Sequence, residues 1–185
     1  MLTPIFSPFP ELHTERLRLR KMVEADAPDL FILRRSKDLM RFIPRPLAAE
    51  TADAALLIQK ANDAAEKGDA VNWGITLTGE DKVIGSIGYV RMNKENDRAE
   101  IGYLRHGDYH GKGIMQEAVA AVIDYGFDVL GLHSIEAIIH PGNKASAAVA
   151  LKAGFTLSGS FKDYTFFDGR FIDADFYSLL VTDHR

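Results

Sequence analysis

Residues 98–117, RAEIGYLRHGDYHGKGIMQE, carry most of the chemistry legible in this chain: an alternating apolar segment, a glycine-rich turn and the opening of an amphipathic helix. Glycines at 111 and 113 let the backbone approach a ligand closely. The first turn of the following helix offers unpaired N–H groups and the positive end of the helix dipole, a combination that receives phosphate or diphosphate. The same residues also fit a purely structural tight turn, and glycine spacing alone does not separate the two. Spacing does exclude two common nucleotide sites. A Walker A loop needs four residues between its first glycine and the Gly-Lys pair, then Ser or Thr. Here three residues separate Gly107 from Gly111-Lys112, and Gly113 follows the lysine. A dinucleotide fingerprint needs three spaced glycines early in a βαβ unit, whereas this turn follows alternating strands in mid-chain.

Other chemistries find no support. Cys is absent, which removes thiolate metal sites, disulfides and a cysteine nucleophile. The six histidines (13, 106, 110, 133, 140, 184) show no His-x-x-x-His spacing, so no metal site is expected, and there is no Gly-x-Ser-x-Gly elbow.

The elements that must position the 98–117 stretch follow from periodicity. RLRLRKM (16–22) alternates as an edge strand. Asp26 ahead of Pro28 opens a helix, and a second helix runs from about Ala48 to Lys67 before Gly68. Residues 71–104 read as an antiparallel meander, 114–130 as a helix with Met115, Ala118, Val119, Val122 and Ile123 on one face, and 135–139 as a strand. A short helix over 144–153 and a terminal hairpin turning at Asp168-Gly169 complete the order β-α-α-β-β-β-α-β-α-β-β. One α+β domain spanning 1–185 is expected, with 1–12 as an extended arm on its surface. The chain has 185 residues and 22 Lys+Arg against 26 Asp+Glu, for a net charge of −4. That balance argues against a nucleic-acid binder. No apolar run reaches membrane-spanning length, and prolines at 4, 8 and 10 disfavour a signal helix, so a cytoplasmic protein is expected.

Three motifs in order resemble one family. HTERLRLRKMVEADAPDL, AEIGY with HGKGIMQEA, and NKASAAVALKAGF (143–155) are similar to the GNAT superfamily of acetyl-CoA-dependent N-acetyltransferases. The branch they most resemble acts on ribosomal-protein N-termini. The resemblance implies a GNAT-like, mostly antiparallel central sheet flanked by helices, with acetyl-CoA as co-substrate. It implies that the backbone of Tyr103, Leu104 and Arg105 pairs with the pantetheine arm. The amides of Gly111, Lys112, Gly113, Ile114 and Met115 would then hold the diphosphate, and Asn143 and Ser146 would contact the thioester end. The family usually has Gln or Arg where this chain has His110, and Pro where it has Gly107.

Acetyl transfer to an amine needs a base, an oxyanion donor and a proton for the leaving thiolate. Glu100 is the candidate base, on one strand face with Gly102 and Leu104. Without the resemblance it reads as an ordinary strand carboxylate paired with Arg98 or Arg91. The backbone N–H of Leu104 is the candidate oxyanion donor if this strand is bulged and splayed from the next. Ser146 is the nearest hydroxyl for proton donation. The expected partner is an amine: a protein N-terminus or a small polyamine, amino sugar or amino-acid-like acceptor. A CoA-binding module without catalysis is the alternative from another class. The aromatic hairpin could close the domain's own core or bury itself in a second copy as a homodimer.

Overall fold

A computed structural model describes residues 2–184. Among them eight strands form one sheet: β1 (Leu12–His13), β2 (Leu17–Lys21), β3 (Val71–Leu77), β4 (Gly85–Asn93), β5 (Arg98–Arg105), β6 (Ser134–Ile139), β7 (Thr156–Phe167) and β8 (Arg170–Leu180). Their spatial order is β1-β2-β3-β4-β5-β6-β8-β7. Every neighbouring pair is antiparallel except β5 and β6. The helices are α1 (Ala27–Arg35), α2 (Lys37–Met40), α3 (Thr51–Glu66), α4 (Ile114–Asp124), α5 (Lys144–Lys152) and α6 (Val181–His184). None is long and apolar enough to cross a membrane.

Alternation along the strands divides the apolar residues between two faces. Ala99 and Ile101 of β5 join Leu17, Trp73, Ile87 and Ile135 in the main core, which α4 covers with Met115, Ala118, Val119 and Val122. Leu104, from the other face of β5, packs in a smaller cluster with Leu30 and Leu33 of α1 and Ala54 and Ile58 of α3. The sheet therefore separates α4 and α5 from α1 and α3, and β5 contributes to both layers.

Several boundaries depart from the sequence pattern for identifiable reasons. Residues 2–11 are extended, but they are not a surface arm. Leu2 and Phe6 are buried, Trp73 Nε1 donates to the Pro10 carbonyl (2.7 Å), and Phe9 meets Trp73 edge to face. Asp26 precedes α1 without capping it, because both its oxygens accept from Arg20 (2.8 Å each) and one also accepts from the Val23 amide. The helix expected from Ala48 begins at Thr51, since Asp53 draws the amides of Ala49 and Glu50 onto its carboxylate. Beyond α4 the helix continues as a π-turn over Tyr125–Val129. Tyr89 donates its hydroxyl to the Val122 carbonyl (2.7 Å), a group the regular ladder would otherwise use. The strand expected to reach Val181 ends at Leu180. RLRLR is not an edge, as β1 pairs outside it. The β7–β8 hairpin turns at Asp168 (φ 49°) and Gly169 (φ 77°), as two-residue hairpins prefer. It leaves Phe161, Phe166 and Phe171 exposed, so it does not close the core.

Candidate active site

The parallel pairing of β5 and β6 covers only Arg98–Glu100 against Ser134–Glu136. Beyond it β5 runs on to Arg105 and β6 to Ile139 without pairing, so the two strands part and leave a cleft. A bulge helps to turn β5 at this point: the register of β4 against β5 shifts between Tyr89 and Arg91, opposite Ile101 and Glu100. The extra residue, Val90, lies over Gly102, where any Cβ would sit 3.0 Å from its side chain. The glycine of AEIGY thus accommodates the bulge.

Main-chain direction along β5 follows from one hydrogen bond. The His106 amide donates to the Ile84 carbonyl (2.8 Å) on the β4 side. Alternation then turns Leu104, paired with Ser86, towards β4 as well, and turns the peptide groups of Ile101, Tyr103 and Arg105 towards the cleft. Splaying and bulging are both present, but Leu104 is not the residue they expose. Its N–H belongs to the β4–β5 ladder and its side chain to the α1–α3 layer. Tyr103 supplies the amide at that level of the cleft.

Glu100 occupies the last paired position, where the strands part. Burial raises its carboxyl above the ordinary range; Arg91 opposes this, Glu136 adds to it, and Arg45 opposes it more weakly. Arg91 Nη1 lies 3.4 Å from Glu100 Oε2, while Arg98 pairs with Glu136 instead (2.8 Å). On the opposite face the Tyr103 hydroxyl donates to the Ser146 carbonyl (3.1 Å) and accepts from Ser146 Oγ (3.0 Å), tying β5 to α5. The sequence reading used only the main chain of Tyr103. Its phenol is a second hydroxyl beside Ser146, and the strand alternation that turns residue 103 towards α5 was available to find it. Asn143 caps α5, its Oδ1 accepting from the Ser146 amide (3.1 Å), so one end of that side chain serves the helix.

Past β5 the chain forms a short 3-10 turn over Gly107–Tyr109, held by His106 Nδ1 accepting from the Asp108 amide (3.2 Å). Gly111 (φ 72°) and Gly113 (φ 74°) are left-handed, and Gly113 stands at the N-cap of α4. A side chain at Gly111 would meet nothing within 4 Å, so backbone conformation is what requires glycine there. Among the described residues no protein group accepts from the amides of 111–115. Arg105 carries a further unmet donor: its Nη1 is buried without a partner, and burial lowers its pKa. Burial, Arg105 and His106 together lower that of His110, favouring its neutral ring. An anion would satisfy both the amides and the guanidinium.

Residues 16–156 match the Acetyltransferase (GNAT) domain family. This chain belongs to that family. The acetyltransferase is 36% identical over 173 residues to an uncharacterized N-acetyltransferase of Bacillus licheniformis, covering 94% of this chain and 97% of the relative. It is 31% identical over 102 residues to the ribosomal-protein-serine acetyltransferase of Escherichia coli, covering 55% and 57% of the two chains. In fold it is similar to the ribosomal L7/L12 α-N-protein acetyltransferase RimL solved with coenzyme A. The TM-score is 0.84 at 22% identity, over 95% of this chain and 100% of the other. The GNAT fold and N-acetyltransferase class implied by the three sequence motifs are thereby established.

Across the cleft of the acetyltransferase, the segment between α2 and α3 lies over the end of β6. Phe42 packs on His140 (ring centroids 5.0 Å) and Ile43 joins the cluster that holds Leu104. On the Glu100 face of β6 and β8, Arg98, Ser134, Glu136, Ser158, Phe176 and Ser178 line a shallow recess of about 260 Å³. The sequence reading located neither the recess nor Phe42, because both depend on which strands become neighbours.

Proposed function

We propose that this acetyltransferase moves acetyl from acetyl-CoA to a primary amine by direct attack in a ternary complex in the cytoplasm. The observation that carries the reading is the run of acceptor-free amides at 111–115, at the mouth of a cleft lined by the peptide groups of Tyr103 and Arg105. Together with the unmet guanidinium of Arg105, these groups fit a diphosphate followed by an amide-bearing arm. When bound, acetyl-CoA supplies an activated thioester carbonyl.

The chain's own groups divide the remaining work. Glu100, with its carboxyl raised by burial, takes the proton from the incoming ammonium, directly or through water. The Tyr103 amide donates to the carbonyl oxygen as charge develops on it. The Tyr103–Ser146 hydroxyl pair delivers a proton to the departing thiolate. Asn143 holds the start of α5 against the cleft and keeps its amide nitrogen for the ligand. With no cysteine to carry the acetyl group, direct transfer is the simpler course.

The acceptor that best fits the family is a protein N-terminal amine, in line with the name of the Escherichia coli relative. A small amino-acid-like amine is a second reading. Arg45 favours it, being exposed, within electrostatic reach of Glu100, and without an ion pair among the described residues. The exposed hairpin phenylalanines supply the surface on which a homodimer would form.

A screen of CoA release across N-terminal peptides, amino acids, polyamines and amino sugars tests the assignment. Turnover with at least one amine, abolished by Glu100→Gln without loss of acetyl-CoA affinity, is expected. Acetyl-CoA binding with no turnover on any amine would favour a non-catalytic CoA-binding module.

A further inference from the structure

Glu117 lies in the first turn of α4, immediately behind the amides assigned to the diphosphate. A carboxylate there suits an isolated helix, because it faces the positive end of the dipole. For a helix whose first amides are to receive an anion, the same carboxylate is adverse: it competes for that positive end and repels the ligand. The structure answers this with a segment nearly 100 residues earlier in the chain. Glu117 Oε1 accepts from the Thr14 hydroxyl and from the Arg16 amide (2.9 Å), and Oε2 accepts from Arg16 Nε (2.7 Å) with Nη2 at 2.6 Å. Thr14 is itself fixed by accepting from the Leu17 amide (3.0 Å) at the start of β2.

The far end of the same guanidinium turns to the loop. Arg16 Nη1 donates to the Lys112 carbonyl (2.9 Å), and Nη2 lies 3.4 Å from where a side chain on Gly113 would begin. With the Lys112 carbonyl held on Arg16, the loop amides remain free to face outward. Glu117 is mostly buried, and Arg16 is about half exposed. Burial opposes the charge of Glu117, but the hydrogen bonds from Thr14 and Arg16 outweigh it and keep the carboxyl below its ordinary range. The group is therefore ionised wherever the enzyme works, and its neutralisation depends on Arg16.

We infer that Arg16 is a positioning residue for diphosphate binding: it cancels the charge of Glu117 and, through the Lys112 carbonyl, sets the loop in its ligand-ready shape. The inference rests on the acetyl-CoA reading above. It distinguishes a tuned electrostatic device from an ordinary surface ion pair, which contributes little.

The test is calorimetric titration of CoA into wild type, Arg16→Gln, Arg16→Lys, Glu117→Gln and the Arg16→Gln/Glu117→Gln double variant at low ionic strength, with thermal melts as folding controls. Arg16→Gln is expected to weaken CoA at least about tenfold, equivalent to about 1.4 kcal/mol. The double variant is expected to bind CoA more tightly than Arg16→Gln, because the bare carboxylate has gone. A merely structural clamp predicts the reverse, since the double variant loses every clamp contact. Arg16→Lys keeps the charge but lacks the fork that spans Glu117 and Lys112, and should weaken CoA about three- to tenfold. This variant carries the test if Arg16→Gln does not fold. Either arginine variant within twofold of wild type, or a double variant no tighter than Arg16→Gln, overturns the inference. A wild type that gives no CoA binding removes the reading beneath it and the inference together.

Discussion

The base assignment makes a quantitative prediction through the two charges that flank Glu100. Arg91 lies 3.4 Å from its carboxylate but is 69% exposed, so the pair is heavily screened. Such pairs contribute about 0.2–1 kcal/mol. At about 1.36 kcal/mol per pH unit, Arg91→Gln should raise the acid limb of the kcat/KM profile by about 0.2–0.7 units. Glu136 acts in the opposite sense, since it adds to the elevation of Glu100 and also occupies Arg98 at 2.8 Å. Glu136→Gln removes a like charge and frees a cation, so the limb should move down. The sign follows from the base being active only when deprotonated: a lower pKa extends activity to lower pH. Glu100→Gln should abolish that limb and cost about 10²–10⁴-fold in turnover, the usual range for a lost acid–base group. The assay is a pH series of CoA release with one acceptor throughout, so that the acceptor's own titration is common to all variants. Shifts in the same direction for Arg91→Gln and Glu136→Gln, or an acid limb retained in Glu100→Gln, would refute the assignment.

Three further outcomes follow from the geometry. Tyr103→Phe and Ser146→Ala each break the hydroxyl pair between β5 and α5; each should lower kcat about tenfold, and the double variant should be no slower than the worse single one in a mutant cycle. Gly111→Ala places a side chain at φ 72° and should cost about 1–2 kcal/mol in a melt; Gly169→Ala, left-handed at φ 77° in the hairpin turn, should cost a similar amount, yet only Gly111→Ala should weaken CoA. Asp26→Asn breaks the buried pair with Arg20 and should cost about 3–5 kcal/mol in chemical denaturation. Burial alone would raise Asp26, but the Arg20 and Val23 hydrogen bonds leave its folded pKa depressed. Its stabilisation is therefore present above the ordinary carboxylate range and lost as pH falls through the folded value, and Asp26→Asn should flatten that acid-side loss.

The layer order and the phosphate turn were legible because they depend on local pattern: alternation over 71–104, helical spacing after Gly113, and glycines where φ is positive. What the pattern hid was pairwise. Leu104 was expected to face the cleft, but the phase of the β4–β5 ladder, fixed by the His106–Ile84 hydrogen bond, turns its peptide group the other way. The arm at 2–11 is apolar and proline-broken, which reads as surface chain until Trp73 is seen to need an acceptor at Pro10. Asp26 has the spacing of a cap, yet an arginine two layers of chain away is a stronger partner. The Tyr103–Ser146 contact joins residues 43 apart and emerges only once α5 folds against β5.

The most direct test is a titration of isotope-labelled protein with CoA, followed by the backbone amide resonances in NMR. Saturable shifts should be largest at 111–115, with Tyr103 and Arg105 moving and Leu104 comparatively still. CoA that binds while the 111–115 amides stay in place, or that does not bind at all, would contradict the assignment of this turn to the diphosphate.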